Sequence, residues 1–226
     1  MGWVLSVTGL ILFAVIYWSY DTARARVKSD MEAKAVSLTD SAAVRIDAKL
    51  GVFQGVINGI ALTLEAQRFE LPFASMRDMQ VKCMERNKEV LGVCVAFDPG
   101  MQPPNWPDLA AWEYRTTNGL EYVDLSGPEF AHIREDWFSL PKYLDRPVWS
   151  DPYKWEGIIM VTYSAPFYRQ EAGKKRFAGV VTCDLSLDWL DKTISALPLG
   201  RGGYGLLMNR NGLYIYCLLA LTSDIL

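Results

Sequence analysis

The feature that most limits the fold is an uncharged run at the start of the chain. Residues 2–20 read GWVLSVTGLILFAVIYWSY and contain no acidic or basic side chain. As a helix, this run would be roughly 28 Å long, which is close to the thickness of the hydrocarbon layer of a membrane. Aromatic side chains stand at both ends, as they do where a span meets the membrane interface. The sequence therefore predicts a transmembrane anchor over residues 1–20.

A cleaved signal peptide is the alternative interpretation of this run. It would need a basic segment before the apolar residues and a small-residue cleavage site after them. The basic segment is absent and YWSYDTARA supplies such a site only poorly, so an uncleaved anchor is favoured. Arg24, Arg26 and Lys28 follow the run, but nearby acidic residues dilute their signal, so charge alone does not fix the membrane orientation.

The segment after the anchor has the spacing of a helix. Apolar residues recur at steps of three or four, with no proline, which predicts one long amphipathic helix over residues 21–69 that continues the anchor. Gly51, Gly55 and Gly59 recur within it. A glycine costs roughly 1 kcal/mol inside a helix, so this repeat favours the close approach of another backbone, either the chain's own sheet or a partner helix. We therefore expect a homodimer through the long helix.

The pattern changes after a second predicted helix at 73–88. VLGVCVAFDP and RFAGVVTCDLSL are typical of buried strands, and Asn118-Gly119 is typical of a tight turn between two further strands. A short helix is predicted near 187–196. This order predicts an α+β fold, in which an N-terminal transmembrane helix continues into a long helix and is followed by a mostly antiparallel sheet, rather than a doubly wound parallel sheet.

Composition argues against several classes of function. The net charge of −3 gives no basic surface for a nucleic acid. His132 is the only histidine, and no glycine-rich phosphate loop or Cys-x-x-Cys pair is present, so we expect no enzyme, metal or cofactor. Cys94 and Cys183 lie in strand-like runs and are interpreted as buried apolar residues. A disulfide is the alternative outside the cytosol, and the pairing of all four cysteines, with Cys83 and Cys217, is left open.

Four motifs then follow in a fixed order: EDWFSLPKYLDRPVWSDPY, MVTYSAPFY, AGVVTCDLSLDWLDKTI and GGYGLLMNRNGLYIY. Each is weak alone, but the set resembles the extracytoplasmic double Cache sensor domain of bacterial transmembrane receptors over about residues 21–216. The resemblance implies a PAS-like antiparallel sheet that carries a ligand pocket. It implies a membrane-distal module over residues 70–200 and the start of a proximal module over residues 201–226, truncated where the chain ends.

The resemblance also implies which residues form the pocket. Asp184 matches an acidic position that holds the ligand's ammonium group in amino-acid-binding relatives, and charge-assisted hydrogen bonds suit that role. Structural roles are the alternative: Trp137 and Trp149 as core residues, Asp151 as a turn residue, and Asp184 as a helix cap, a role for which Ser186 competes. The expected ligand-binding residues are aromatic or acidic: Trp137, Phe138, Trp149, Asp151, Tyr153, Tyr163 and Asp184.

One departure from the family changes the expected ligand. Amino-acid-binding relatives place an arginine two positions before the pocket tryptophan, where this chain has Glu135. Arg134 stands one residue further away and would replace it only if the backbone register shifts. The site would then be acidic, which favours an amine or another cationic or neutral ligand.

Together these features predict a membrane-anchored sensor module for signal transduction. Its expected partners are a small polar ligand, the membrane and a second copy of the chain, with a single pass through the inner membrane and the sensor region periplasmic or extracellular. Two alternatives remain: a membrane-anchored structural or dimerisation protein, and a hydrolase that uses Asp136, Asp151 or Asp184.

Overall fold

The computed structural model describes residues 2–67, 70–107, 109–127, 130–155, 157–171, 173–195, 197, 204–208, 212 and 214–219. Its first element is one helix, α1, which runs Gly2–Ala66 without a break. The predicted continuity of anchor and long helix is confirmed. The last two residues of the predicted helix, 68 and 69, lie outside the described part. By length and composition, α1 is the one helix among the described residues that could cross a membrane.

The rest of the described chain forms a sheet with short helices around it. The order of elements after α1 is α2 Phe73–Arg86, β1 Val90–Phe97, β2 Ala110–Thr116, β3 Gly119–Asp124, a 3-10 turn His132–Arg134, α3 Asp136–Leu144, β4 Val148–Trp149, β5 Tyr153–Trp155, β6 Ile158–Glu171, β7 Lys174–Ser186, α4 Asp188–Ser195, β8 Tyr204–Met208 and β9 Tyr214–Leu219. The predicted α+β class is confirmed.

All the strand pairs are antiparallel. The large sheet has the order β3-β2-β1-β7-β6-β4, with β5 also paired to β6, and β8 and β9 form a separate hairpin. The long partners β6 and β7 set Thr162 opposite Asp184 and Tyr163 opposite Cys183. Because side chains alternate along a strand, this register decides which residues share a face.

The two faces of the large sheet have different partners. On one face, which we call the helix face, the second half of α1 and α2 bury an apolar core that includes Ile57, Leu64, Met76 and Phe167. On the other, the cavity face, Phe138 of α3 packs into a smaller cluster under the sheet. The second half of the apolar stripe predicted for α1 is therefore the inner side of the main core, whereas Val27 and Met31 in its first half are exposed.

The glycine repeat of α1 does not meet the chain's own sheet. A side-chain carbon placed at Gly51, Gly55 or Gly59 would find no described atom within 4 Å. Of the two alternatives, close packing on the sheet is wrong for the described part of the chain. A partner helix stays a prediction.

Three of the four cysteines are free and buried: Cys83, Cys94 and Cys183. The interpretation of Cys94 and Cys183 as buried residues is thus confirmed. The side chain of Cys217 lies outside the described residues. The boundary expected at residue 200 also falls there, so the division into two modules stays a prediction.

Candidate functional site

A cavity of about 790 Å³ opens on the cavity face of the large sheet. It lies between the strands, α3 and the turn at 150–152 that joins β4 to β5. This volume is typical of a small-molecule site. Its floor consists of side chains that project from β1, β2, β6 and β7, namely Cys94, Trp112, Met160, Thr182 and Asp184.

Asp184 is the acidic group at the floor, and it is 5% exposed. Its Oδ2 accepts a hydrogen bond of 2.8 Å from Trp112 Nε1, and its Oδ1 accepts one of 2.6 Å from Thr162 Oγ1. The Thr162 hydroxyl has one proton, and it donates that proton to the carboxylate. The Tyr153 hydroxyl is therefore the donor in its hydrogen bond of 2.6 Å with Thr162 Oγ1. Tyr153, Thr162 and Asp184 therefore form a directed chain that holds the carboxylate in place.

Burial changes the acidity of this carboxylate. Desolvation raises the pKa of Asp184 from 3.8 to about 6, although the hydrogen bonds from Thr162 and Trp112 act in the opposite direction. Burial and the nearby Asp184 also raise the pKa of the Tyr153 hydroxyl and of the Cys94 thiol. Asp184 is thus the floor group that titrates near neutral pH, and a bound cation would favour its charged form.

A glycine on β1 makes room for the pair of Trp112 and Asp184. A Cβ atom at Gly92 would lie 2.3 Å from Trp112 Nε1 and 2.8 Å from Asp184 Oδ2. Only a residue without a side chain allows the indole N–H to reach the carboxylate at this point. The hydrogen bond between Trp112 of β2 and Asp184 of β7 therefore also depends on Gly92 of β1.

Aromatic rings form the walls above the floor. The Trp112 ring stacks on Tyr114 with centroids 4.4 Å apart and meets Trp155 edge-on at 5.7 Å. Phe130 also contacts Trp155, with centroids 6.1 Å apart. Together with two aliphatic side chains, the walls comprise Leu125, Phe130, Trp137, Leu140, Tyr153 and Trp155.

The rim is polar and mostly acidic. Arg134 lines it from the end of the 3-10 turn, Glu135 and Asp136 line it from the start of α3, and Asp151 lines it from the β4–β5 turn. All four are exposed. Among the described lining residues, Arg134 is the one basic side chain, whereas four are acidic when Asp184 is included. An entering ligand therefore meets a net negative charge.

The structure brings four of the seven expected site residues together. Trp137, Asp151, Tyr153 and Asp184 line the cavity. Asp184 does not cap α4, because the backbone N–H of Asp188 donates to Ser186 Oγ at 3.1 Å.

The other three expected residues lie elsewhere. Phe138 is fully buried behind the wall, against His132 and Phe177. Trp149 and Tyr163 project to the helix face, where their rings lie 5.0 Å apart and line a second recess of about 390 Å³ beside α1.

Sequence reasoning missed the floor residue Trp112, the wall residues Phe130 and Trp155, and Thr162, which donates a hydrogen bond to Asp184. Trp112 and Trp155 stand in predicted strand-like or turn segments, but their faces depend on the register. The alternation of side chains along a strand shows that Thr162 and Tyr163 point to opposite faces, but not which of the two faces the cavity.

Solved structures of known proteins share this fold. The extracellular domain of a proposed histidine kinase, mmHK1S-Z3, superposes with a TM-score of 0.59 at 22% identity over 72% of this chain and 62% of that chain. The ligand-binding domain of the Campylobacter jejuni chemoreceptor Tlp3, in complex with L-valine, gives 0.60 at 12% identity over 80% and 68%. That of the Pseudomonas aeruginosa PAO1 amino acid chemoreceptor PctC, in complex with GABA, gives 0.51 at 16% identity over 72% and 64%. The chain thus spans less than two thirds of the first of these domains.

Sequence comparison identifies the family. No curated protein sequence matches the chain. The family model for the first PDC sensor domain of methyl-accepting chemotaxis protein-like receptors matches residues 76–192, more than half of the chain. The match contains the sheet, α3 and every lining residue of the cavity. The expected sensor-domain resemblance is confirmed, and the chain belongs to the methyl-accepting chemotaxis protein-like PDC sensor domains.

Proposed function

We propose that the cavity binds a small molecule that carries an ammonium group, and that this is the signal of a membrane-anchored extracytoplasmic sensor. The observation that carries the proposal is Asp184, a carboxylate at the floor of a cavity and 5% exposed. A buried charge without a counter-ion is unfavourable, and an ammonium group would supply that counter-ion.

The residues around Asp184 and behind the cavity have distinct roles in this proposal. The Tyr153 and Thr162 hydroxyls and the Trp112 indole hold Asp184 in position. Trp137 supplies aromatic wall, and Asp151 adds negative charge at the entrance. Phe138 supports the wall from behind, whereas Tyr163 connects β6 to α1 through Asn58 and packs against Trp149.

The relatives support an amine, and they bear on Arg134. GABA and L-valine each carry an amino and a carboxyl group, and they are bound by PctC and Tlp3 respectively. In this chain, the acidic lining residues outnumber Arg134 four to one. We therefore propose an amine whose cationic end reaches Asp184, with Arg134 available to a polar group at the other end.

The membrane and dimer assignments rest on α1. The apolar run at its start would anchor the chain by a single pass through the inner membrane, with the sensor region outside the cytoplasm. The exposed glycine face of α1 would meet the same face of a second copy. Such an arrangement would place the helix faces of the two sheets beside a shared pair of helices that leads to the membrane, with each cavity on the opposite face of its sheet.

Calorimetry on the full chain in detergent tests the proposed site. The ligands are a panel of small amines, amino acids and simple carboxylates, compared between wild type and Asp184→Asn. We expect an amine to bind best, and Asp184→Asn to weaken it by about 100-fold, the scale of one lost buried charge pair. Asp78→Asn, on the exposed side of α2, is the matched control and should bind as wild type does. Equal affinity in Asp184→Asn and wild type would reject the proposed function.

A further inference from the structure

We infer that the recess of about 390 Å³ beside α1, on the helix face, is a second binding site that takes a small carboxylate with an apolar body. This goes beyond the proposed function, because neither the recess nor its ligand takes part in binding an amine at Asp184. Two features of the described residues carry the inference: the polar groups of the recess that have no partner within the chain, and the apolar walls around them.

The recess lies where three parts of the chain meet. α1 contributes Gln54, α3 contributes Leu140 and Leu144, and β6 contributes Tyr163. The segment that follows α3, residues 146–149, closes the remaining side, and every one of its residues lines the recess. The volume is within the range of small-molecule sites.

The unpartnered polar groups of the recess are mainly hydrogen-bond donors. The side chains of Gln54, Arg146 and Trp149 make no hydrogen bond or ion pair with another residue that the structure describes. They offer a guanidinium, an indole N–H and an amide. The carboxylate next in sequence, Asp145, accepts from the Tyr168 hydroxyl instead. Arg146 is thus the one charged side chain among the described lining residues, and its charge is positive.

The remaining walls are apolar and aromatic. The Trp149 and Tyr163 rings lie 5.0 Å apart at 47°, and Leu144 stands among the aliphatic lining residues. The Tyr163 hydroxyl already donates to Asn58, so its ring is what it offers to a ligand. An ionised carboxylate only accepts hydrogen bonds, and its two oxygens match the fork of a guanidinium. A carboxylate with an apolar body therefore satisfies both the donors and the walls.

The recess and the main cavity are separate sites of opposite charge. They open on opposite faces of the large sheet, and Leu140 is the one described residue that lines both. In the cavity, acidic lining residues outnumber Arg134, whereas the described lining of the recess includes Arg146 and no acidic residue. A small carboxylate is repelled by the first arrangement and attracted by the second, so the two sites should take different ligands.

A fluorinated carboxylate tests this inference. The probe is 4-fluorobenzoate, titrated into the full chain in detergent and followed by fluorine NMR, with detergent alone as the blank. 4-Fluorobenzamide has the same shape without the charge, and it should bind about tenfold more weakly, the scale of hydrogen bonds to a charged group. Acetate keeps the carboxylate without the ring, and it should displace the probe about tenfold less well than unlabelled benzoate does.

Variants of two lining residues locate the probe. Arg146→Gln should weaken the binding of 4-fluorobenzoate by about tenfold, and Arg146→Lys by about threefold, because lysine keeps the charge without the fork. Gln54→Leu removes one donor at similar size and should cost about threefold. Arg86→Gln is the matched control, since this arginine is exposed at the end of α2 and lines neither site. It should bind the probe as wild type does.

Several results would overturn the inference. These are the absence of probe binding at millimolar concentrations, equal binding to wild type and Arg146→Gln, and equal binding of the benzoate and the benzamide. Displacement by acetate as effective as that by benzoate would show that the apolar walls are not used. A loss of probe binding in Arg134→Gln but not in Arg146→Gln would place the carboxylate in the main cavity. None of these results affects the calorimetry of amines with Asp184→Asn, so the inference and the proposed function can fail separately.

Discussion

The two faces of the large sheet are built from the same strands, and they have opposite chemistry. On β6, Thr162 points to the cavity and donates to Asp184, whereas the next residue, Tyr163, points to α1 and donates to Asn58 at 3.2 Å. The helix face is packed with apolar side chains from two helices. The cavity face keeps a carboxylate out of water beside an open volume. The helix face therefore stabilises the fold, whereas the cavity face holds a buried carboxylate that lowers the stability when no ligand is bound.

Gly92 and Gly179 differ in the kind of atom that an added Cβ atom would meet. A Cβ atom at Gly92, on the cavity face, would meet the side chains of Trp112 and Asp184. A Cβ atom at Gly179 would lie 2.1 Å from the Ala96 carbonyl oxygen and 2.9 Å from Phe97 Cα. Side chains can move aside at a local cost, whereas the backbone of a paired central strand cannot. The comparison can be tested by adding one methyl group at each place.

The largest effect is expected from that pair of variants. Gly179→Ala should lower the free energy of unfolding by about 3 kcal/mol or more, because the clash is with backbone atoms. Gly92→Ala should cost less stability but should weaken ligand binding, since it displaces Trp112 and Asp184. Chemical denaturation and calorimetry measure the two quantities. If Gly92→Ala binds ligand normally, the packing described for the floor is wrong.

The next largest effect concerns the stability of the ligand-free protein, in which the Asp184 carboxylate is buried. A pKa of about 6 against an ordinary value of 3.8 corresponds to about 3 kcal/mol, at about 1.4 kcal/mol for each pKa unit. Because the folded pKa is raised, the contribution of Asp184 to stability is fully present below about pH 4 and is lost as the pH rises through 6. Asp184→Asn does not titrate, so its stability relative to ligand-free wild type should increase by this amount between pH 4 and pH 7.5.

Denaturation curves at several pH values check this sign. Tyr153 and Cys94 face the same carboxylate, but their raised pKa values keep them neutral over this range. A relative stability that stays flat, or that falls with rising pH, would show that Asp184 is not desolvated as described.

The smallest effect separates two tyrosine hydroxyls. Tyr163→Phe removes the hydrogen bond to Asn58 on the helix face, and Tyr153→Phe removes the donor to Thr162 on the cavity face. Each should cost about 1 kcal/mol of stability. Only Tyr153→Phe should also weaken ligand binding, by a few-fold, because it loosens the chain that holds Asp184. Equal binding defects in both variants would mean that the two faces are not independent.

Much of the fold follows from local sequence patterns. The spacing of apolar residues and the absence of proline predict a helix to residue 69, and α1 ends at Ala66. Asn118-Gly119 predicts the turn between β2 and β3. These signals are local, so they do not depend on how distant segments pair. The glycine repeat of α1 was less informative, because a small residue permits close packing without requiring it.

The site was less predictable because it depends on register. Asp184 came from the family resemblance, and its partners Trp112 and Thr162 lie 72 and 22 residues away in the sequence. Trp149 and Tyr163 belong to the expected motifs but project to the helix face. Only the pairing of β4, β6 and β7 shows which residues of each strand face the cavity and which face the core.

Proton release on ligand binding tests the central claim most directly. Calorimetry with the tightest-binding amine, repeated near pH 6 in buffers of different ionisation enthalpy, counts the protons exchanged per ligand. Because Asp184 is about half protonated at its pKa of about 6, and a bound cation favours its charged form, wild type should release about half a proton. Asp184→Asn should release none. Binding to wild type without proton release, or with the same release in Asp184→Asn, would contradict an ammonium bound at Asp184.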